Sequence, residues 1–174
     1  NKGKYDGMLI KYSSEGSVEW AQGIGETSSD TITSVAESSD GGCVVVGRFQ
    51  SSSIDIGNGI ILTNKSSADI YDDGMLIKYS AEGKVEWAQV IGGATEDYIM
   101  SVAKTSDGEY IVGGYFDSSG IDLGNGVSLT KKSTSSNFDG MLIKYSAEGK
   151  AEWSKAIGAG DSERINSVAE VGDG

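Results

Sequence analysis

Apolar and polar residues alternate along this chain in short runs broken by Gly. In "VEWAQVIG" the alternation predicts a half-buried strand, with Val85, Trp87 and Ile91 on one face and Glu86, Ala88 and Val90 on the other. The same stripe recurs as Val18, Trp20, Ile24 and as Ala151, Trp153, Ile157. "GMLIKY" is apolar on both faces near its start, as expected of a strand covered on both sides. "SVA" recurs at Ser34, Ser101 and Ser167, and its small residues suit a strand crowded by neighbours. "CVVVGRF" and "YIVGGYF" complete the strand set, with Gly47 and Gly114 where another backbone can pass close by. No segment has a helical period.

Two hairpin signals link these runs. "YSAEGKVEW" (Tyr79 to Trp87) has relatives at Tyr12 and Tyr145, and "TSDGEYIVGG" (Thr105 to Gly114) has one at Ser38. Glu-Gly and Asp-Gly supply the positive φ of a tight hairpin turn. "DGMLIKYSAEGK" occurs identically at Asp73 to Lys84 and Asp139 to Lys150, with a near copy at Asp6 to Ser17. Trp20, Trp87 and Trp153 give a period of 67 and then 66 residues, so 174 residues hold about 2.6 copies. We divide them as 5–70, 71–137 and 138–174, the last incomplete. Two hairpins per copy mean four strands, and four-stranded antiparallel units repeated in this way predict an all-β fold of β-propeller blades. A further stretch in each copy holds "IDIGNG" from Ile54 and "IDLGNG" from Ile121, expected as a short hairpin with a polar loop projecting from the blade.

The motifs "SVAKTSDGEYIVGGYF" and "DGMLIKYSAEGKVEWAQVIGG" together resemble the bacterial propeller-repeat proteins of the seven-bladed type, over essentially the whole chain. "EGKVEW" is also similar to part of the quinoprotein propeller repeats, whose Trp docks between blades. That resemblance implies a packing role for Trp20, Trp87 and Trp153 and no quinone cofactor. It also implies an innermost "SVA" strand and an outermost Trp strand. The chain would then begin at the third strand of a blade (Tyr5 to Tyr12), pass through two complete blades and reach one strand of another (Ile165 to Glu170). Closure needs at least four blades. The expected partners are therefore other copies of the chain or the remaining blades of a longer one, with a protein or glycan ligand; the expected location is extracellular or at a bacterial cell surface. A trefoil or prism is the other all-β closure, and the incomplete third copy fits it poorly. The start at Asn1, with nothing resembling a targeting segment, is expected of a processed chain or a piece of a longer one.

Composition removes several chemistries. The net charge of −12 disfavours nucleic acid and anionic membrane surfaces. No apolar run approaches a membrane span. Without His there is no Ser-His-Asp or Cys-His catalysis, and the single Cys43, expected as a small buried filler, allows no intrachain disulfide or CxxC site. Asp6, Asp40, Asp73, Asp107, Asp139 and Asp173 each precede Gly, and a turn role is expected for all six. Asp55 with Asn58 and Asp122 with Asn125 offer oxygens for Ca²⁺, but the pattern lacks the several carboxylates of a Ca²⁺ loop, so a plain Asn-Gly hairpin is the better reading. "GIGETSSD" and "IGGATEDY" read as strand ends running into turns, not phosphate cradles. Ser51 to Ser53 and Ser133 to Ser136 are expected on a solvated surface, and the short sequon at Asn64 carries little weight. No catalytic, cofactor-binding or metal residue is assigned. The expected function is a non-catalytic scaffold or binding module; the alternatives are a lectin-like glycan binder, or part of a propeller hydrolase whose active site lies elsewhere.

Overall fold

Strands joined by turns and loops build this protein in its computed structural model, which describes residues 3–66, 68, 70–134 and 137–172. The chain begins with an antiparallel pair, β1 (Gly7–Tyr12) and β2 (Val18–Ile24). A first four-stranded sheet follows from β3 (Asp30–Glu37) and β4 (Cys43–Phe49), then, after the small hairpin β5 (Ser53–Asp55) and β6 (Ile61–Thr63), β7 (Asp73–Tyr79) and β8 (Val85–Ile91). Its spatial order is β3-β4-β7-β8, all antiparallel. The second sheet repeats the scheme with β9 (Asp97–Lys104), β10 (Tyr110–Phe116), the hairpin β11 (Gly120–Asp122) and β12 (Ser128–Thr130), β13 (Asp139–Tyr145) and β14 (Ala151–Ile157). The expected four-stranded units are present, with "SVA" on one edge strand and Trp on the other. They span 30–91 and 97–157, offset from the sequence repeats, because each sheet takes its outer pair from the following copy.

The sheets stack face to face around two apolar layers. Leu9 and Ile24 of the first pair meet Val45, Phe49, Met75, Ile77 and Tyr79 of the first sheet. Val44, Val46, Leu76 and Ile91, on the opposite face of that sheet, meet Val112, Met141, Ile143 and Tyr145 of the second. Met75 and Leu76 thus serve different layers, and all of β7 is buried, as the two-faced pattern of "GMLIKY" predicts. Gly47 and Gly114 are close-approach positions: a Cβ there would lie 2.0 Å from Thr31 O and 2.0 Å from Tyr98 O.

Four expectations need correction. Val85 and Trp87 do not share a face. A β-bulge pairs Tyr79 with Val85 but Lys78 with Trp87, leaving Glu86 extra. Val85 therefore packs in the layer toward the preceding sheet, while Trp87 and Ile91 pack toward the following one. The same bulge recurs at Lys11/Tyr12 and Lys144/Tyr145. Second, Ile165–Glu170 is not a strand, since it forms no ladder with any strand among the described residues. It is still seated on the second sheet, by Ile165 N–H to Gly114 O (3.3 Å) and Val168 N–H to Ser101 Oγ (3.2 Å). The latter copies a contact one unit earlier, Val102 N–H to Ser34 Oγ (3.4 Å). Third, the "IDxGNG" hairpins do not project. Ile54, Ile56 and Leu62, like Ile121, Leu123 and Leu129, are buried in the two apolar layers.

Fourth, the turn role holds for only part of the Asp-Gly set. Asp40 and Asp107 sit in tight turns, where each accepts a hydroxyl, from Ser38 and Thr105. Asp73 and Asp139 instead open strands and are fully buried. Asp73 Oδ2 accepts Lys65 N–H (2.5 Å), and Asp139 accepts the N–H groups of Lys132 and Ser133. Asp6 takes the equivalent place just before β1. Asp173 lies outside the described residues, as do Ser135 and Ser136.

Candidate functional site

The recurring feature of the stack is a tryptophan laid on a glycine turn. Trp20 donates Nε1–H to Ala81 O (2.9 Å), and Trp87 donates to Ala147 O (3.1 Å). Two residues on, Gln22 and Gln89 donate Nε2–H to Gly83 O (2.9 Å) and Gly149 O (3.1 Å). These glycines have φ of +75° and +77°, and a Cβ at either would lie 2.7 Å from the indole. Gly is required twice here, by the backbone and by the ring. The packing role expected for Trp20 and Trp87 is met. Trp153 differs: it is exposed, with no following turn beneath it among the described residues.

Buried carboxylates tie each sheet together at one end. Asp30, the first residue of β3, accepts Glu26 N–H (2.8 Å), Gln50 N–H (3.1 Å), Ser51 N–H (3.1 Å) and Ser51 Oγ–H (2.7 Å). Asp97 repeats this with Gly93 N–H (2.8 Å), Ser118 N–H (3.2 Å) and Ser118 Oγ–H (2.7 Å). Burial pushes the Asp97 carboxyl up to about 7 against these bonds, and pushes Asp73 up to about 6. Ser51, Ser118 and Ser133 are therefore buried partners, not the solvated loop expected for Ser51 and Ser133. Sequence reasoning missed Asp30 and Asp97 because their serine partners, Ser51 and Ser118, lie 21 residues away.

At the opposite end, Lys78 is buried against Asp40 Oδ2 (2.7 Å) and Glu86 Oε2 (2.9 Å). Burial pulls its ammonium down, but the two carboxylates outweigh this and hold it above its usual value. Lys78 in turn holds Asp40 well below the carboxylate range, helped by Ser38 and Gly42. Lys144 repeats the arrangement with Asp107, Glu109 and Glu152. A groove of 350 Å³ between these turns is lined by Asp40, Lys78, Glu86 and Asp107, whose charges are already paired.

The candidate ligand residues of the sequence hold their own hairpins together at the surface. Asp55 and Asp122 accept the N–H of Gly57 and Gly124 (both 2.9 Å), closing their own turns. Asn58 and Asn125, at φ of 58° and 56°, donate to Val85 O (3.0 Å) and Ala151 O (3.1 Å), fastening each hairpin to the outer strand of its sheet. The Asn-Gly hairpin reading is met. Among the described residues no group of three or more His, Cys, Asp or Glu is placed to hold a metal. Asn64 of the sequon spends its amide on Phe49 O and Tyr71 O. Cys43 is half-buried, and burial pushes its thiol up, away from the reactive thiolate.

One cluster does not follow the repeat. Tyr98, Tyr115 and Phe138 stack with centroids 4.9, 5.9 and 5.1 Å apart. Arg48 lies 4.8 Å over Tyr98 and pairs with Asp72 (2.9 Å). Arg164 lies 4.6 Å over Tyr115 and 5.2 Å over Phe138. These are the chain's two arginines. The pairing of these rings with arginine leaves no local signal in the sequence, since Arg48 and Tyr98 lie 50 residues apart.

Among known proteins, the chain is 29% identical over 175 aligned positions to the regulatory protein FlaEY of Caulobacter vibrioides. The alignment covers 98% of this chain but 18% of that protein, so the chain spans under a fifth of its relative's length. No protein-family description matches the chain.

Proposed function

We propose that this chain is part of a β-propeller acting as a non-catalytic scaffold or binding module, outside the cell or at a bacterial cell surface. The observation that carries the reading is the repeated docking of one sheet on the next. Trp20 on the Ala81–Gly83 turn and Trp87 on the Ala147–Gly149 turn make the same bonds at the same spacing. Equivalent contacts between equivalent units impose a constant step from sheet to sheet, and a constant step about one axis builds a ring of blades. The edge strands β3 and β9 pack against each other, the place an axis requires. The carboxylates support a structural role, since buried Asp30, Asp97 and Asp139 each accept several bonds and Asp40 and Asp107 pair with lysines. A relative named as a regulatory protein fits a role exerted through binding.

A crystal structure of the chain, with the rotation between successive sheets measured, tests the architecture. The expected result is one rotation about a common axis for both junctions; unrelated rotations would refute it. A panel of chromogenic glycosides and esters tests the non-catalytic reading. No turnover above buffer is expected, and turnover abolished by Asp97→Asn would replace the scaffold by a hydrolase.

A further inference from the structure

We propose that a second copy of this chain seats its Ser13–Gly16 turn under Trp153, so that copies join head to tail. The inference rests on the sheet-docking part of the proposed function, but not on ring closure. Both halves of the contact already exist on the chain in docked and undocked form.

The accepting half is preformed. Ser13 N–H bonds Ser17 O (2.8 Å) and Gly16 N–H bonds Ser13 O (3.0 Å), matching the docked turn, where Ser80 N–H bonds Lys84 O (2.8 Å) and Gly83 N–H bonds Ser80 O (3.0 Å). Gly16 has φ +80° beside +75° and +77° at the docked glycines, yet no described atom lies within 4 Å of where its Cβ would be. Around it Met8, Tyr12 and Val18 are 70%, 56% and 57% exposed. Their counterparts Met75, Tyr79 and Val85, and Met141, Tyr145 and Ala151, are buried in the apolar layers. The donating half is equally open. Trp153 is 36% exposed and Ile157 46%, whereas Ile24 and Ile91 at the latter position are 0% exposed. Lys155 stands where Gln22 and Gln89 donate to the glycine carbonyl, and its ammonium is also a donor. Trp153 Nε1–H therefore has Ser14 O as its matching acceptor on the second copy, and Lys155 has Gly16 O.

The contact is heterologous, because one copy gives its Trp153 face and the other its Gly16 face. Each copy carries −12, so the copies repel at low salt, and apolar burial prevails once the charges are screened. The test is sedimentation equilibrium of the 18.1 kDa chain over a range of concentration and salt. Mass should grow with concentration past the dimer, and the association should strengthen with NaCl. Trp153→Glu removes the donor face and Tyr12→Glu the acceptor face; each variant alone should stay monomeric at the wild type's associating concentration. Mixed, they should form a one-to-one dimer and nothing larger, since one intact face of each kind remains. Far-UV circular dichroism checks that each variant is folded, with Trp153→Ala and Met8→Lys replacing any that is not. A monomeric wild type would overturn the proposal and leave these faces to other sheets of a longer protein. Variants that still associate alone, or a mixture that stays monomeric, would overturn it equally. The rotation between sheets inside one chain is read separately, so the proposed fold stands or falls on its own measurement.

Discussion

Three glycines offer a controlled measurement of what the docked tryptophan contributes. Gly16, Gly83 and Gly149 hold the same turn position at φ +80°, +75° and +77°, but an indole covers only the last two. An added methyl at any of them costs about 1 kcal/mol from the left-handed backbone alone. At Gly149 the methyl also meets three indole carbons of Trp87 at 2.7, 2.7 and 3.0 Å, and the ring must move. Displacing a packed ring adds about 1–3 kcal/mol. Gly16→Ala should thus lower stability by about 1 kcal/mol, and Gly83→Ala and Gly149→Ala by about 2–4 kcal/mol.

Removing the ring completes the cycle. Trp87→Ala should itself cost about 2 kcal/mol, below the range for a fully buried Trp because the side chain is half-exposed. In that background Gly149→Ala should cost only what Gly16→Ala costs, a coupling of about 1–3 kcal/mol between the two sites. Urea unfolding followed by circular dichroism gives the values, in chains dilute enough to be monomeric. Equal costs at all three glycines, or an undiminished Gly149→Ala in the Trp87→Ala background, would refute the docking argument.

The remaining predictions concern the polar interior. Asp97, held at about 7, and Asp73, at about 6, keep protons that the unfolded chain releases near 3.8. Their stabilisation is therefore full below that value and declines as pH rises toward 7. Urea midpoints at pH 5 and 7.5 should show the fall, and Asp97→Asn should flatten it; an unchanged slope in that variant would exclude Asp97 as its source. Ser118→Ala removes the 2.7 Å hydroxyl bond to Asp97 in a buried site and should cost about 1–2 kcal/mol by thermal unfolding, against no change for the exposed Ser119→Ala. Arg48→Ala should cost more than Arg164→Ala in the same assay, because Arg48 pairs with the largely buried Asp72 while exposed Arg164 loses ring contacts worth about 0.5–1 kcal/mol.

Much of the fold was legible because the sequence repeats its local instructions. Glu82-Gly83 and Asp107-Gly108 mark turns, "GMLIKY" marks a strand with two covered faces, and Gly47 and Gly114 mark close backbone approaches. These are properties of a few neighbouring residues. The face of Val85 was not legible, since strict alternation assumes an unbroken ladder and Glu86 is bulged out of it. The buried Asp residues were misread for a related reason. Asp-Gly has the same local chemistry in a turn and at a strand start, and only the distant backbone decides. Asp107 meets its own turn, whereas Asp139 meets Lys132 and Ser133 of the loop before it.

The aromatic and arginine cluster shows what repetition itself conceals. Arg48 and Tyr115 occupy equivalent positions 67 residues apart, and Tyr98 and Arg164 occupy equivalent positions 66 apart. At the first junction Arg48 sits over Tyr98; at the second, Tyr115 lies under Arg164. The cation and the ring have exchanged sides while the contact is kept. This swap has a consequence that no single repeat carries. Near-identical units can stack out of order, since Trp and turn match at every junction. If the Arg164 segment took the place of β9, Arg48 would face Arg164, two cations in contact instead of a cation and a ring. Arg48 on Tyr98 and Arg164 on Tyr115 keep a cation on a ring at both junctions, so these four residues favour the native order of the units.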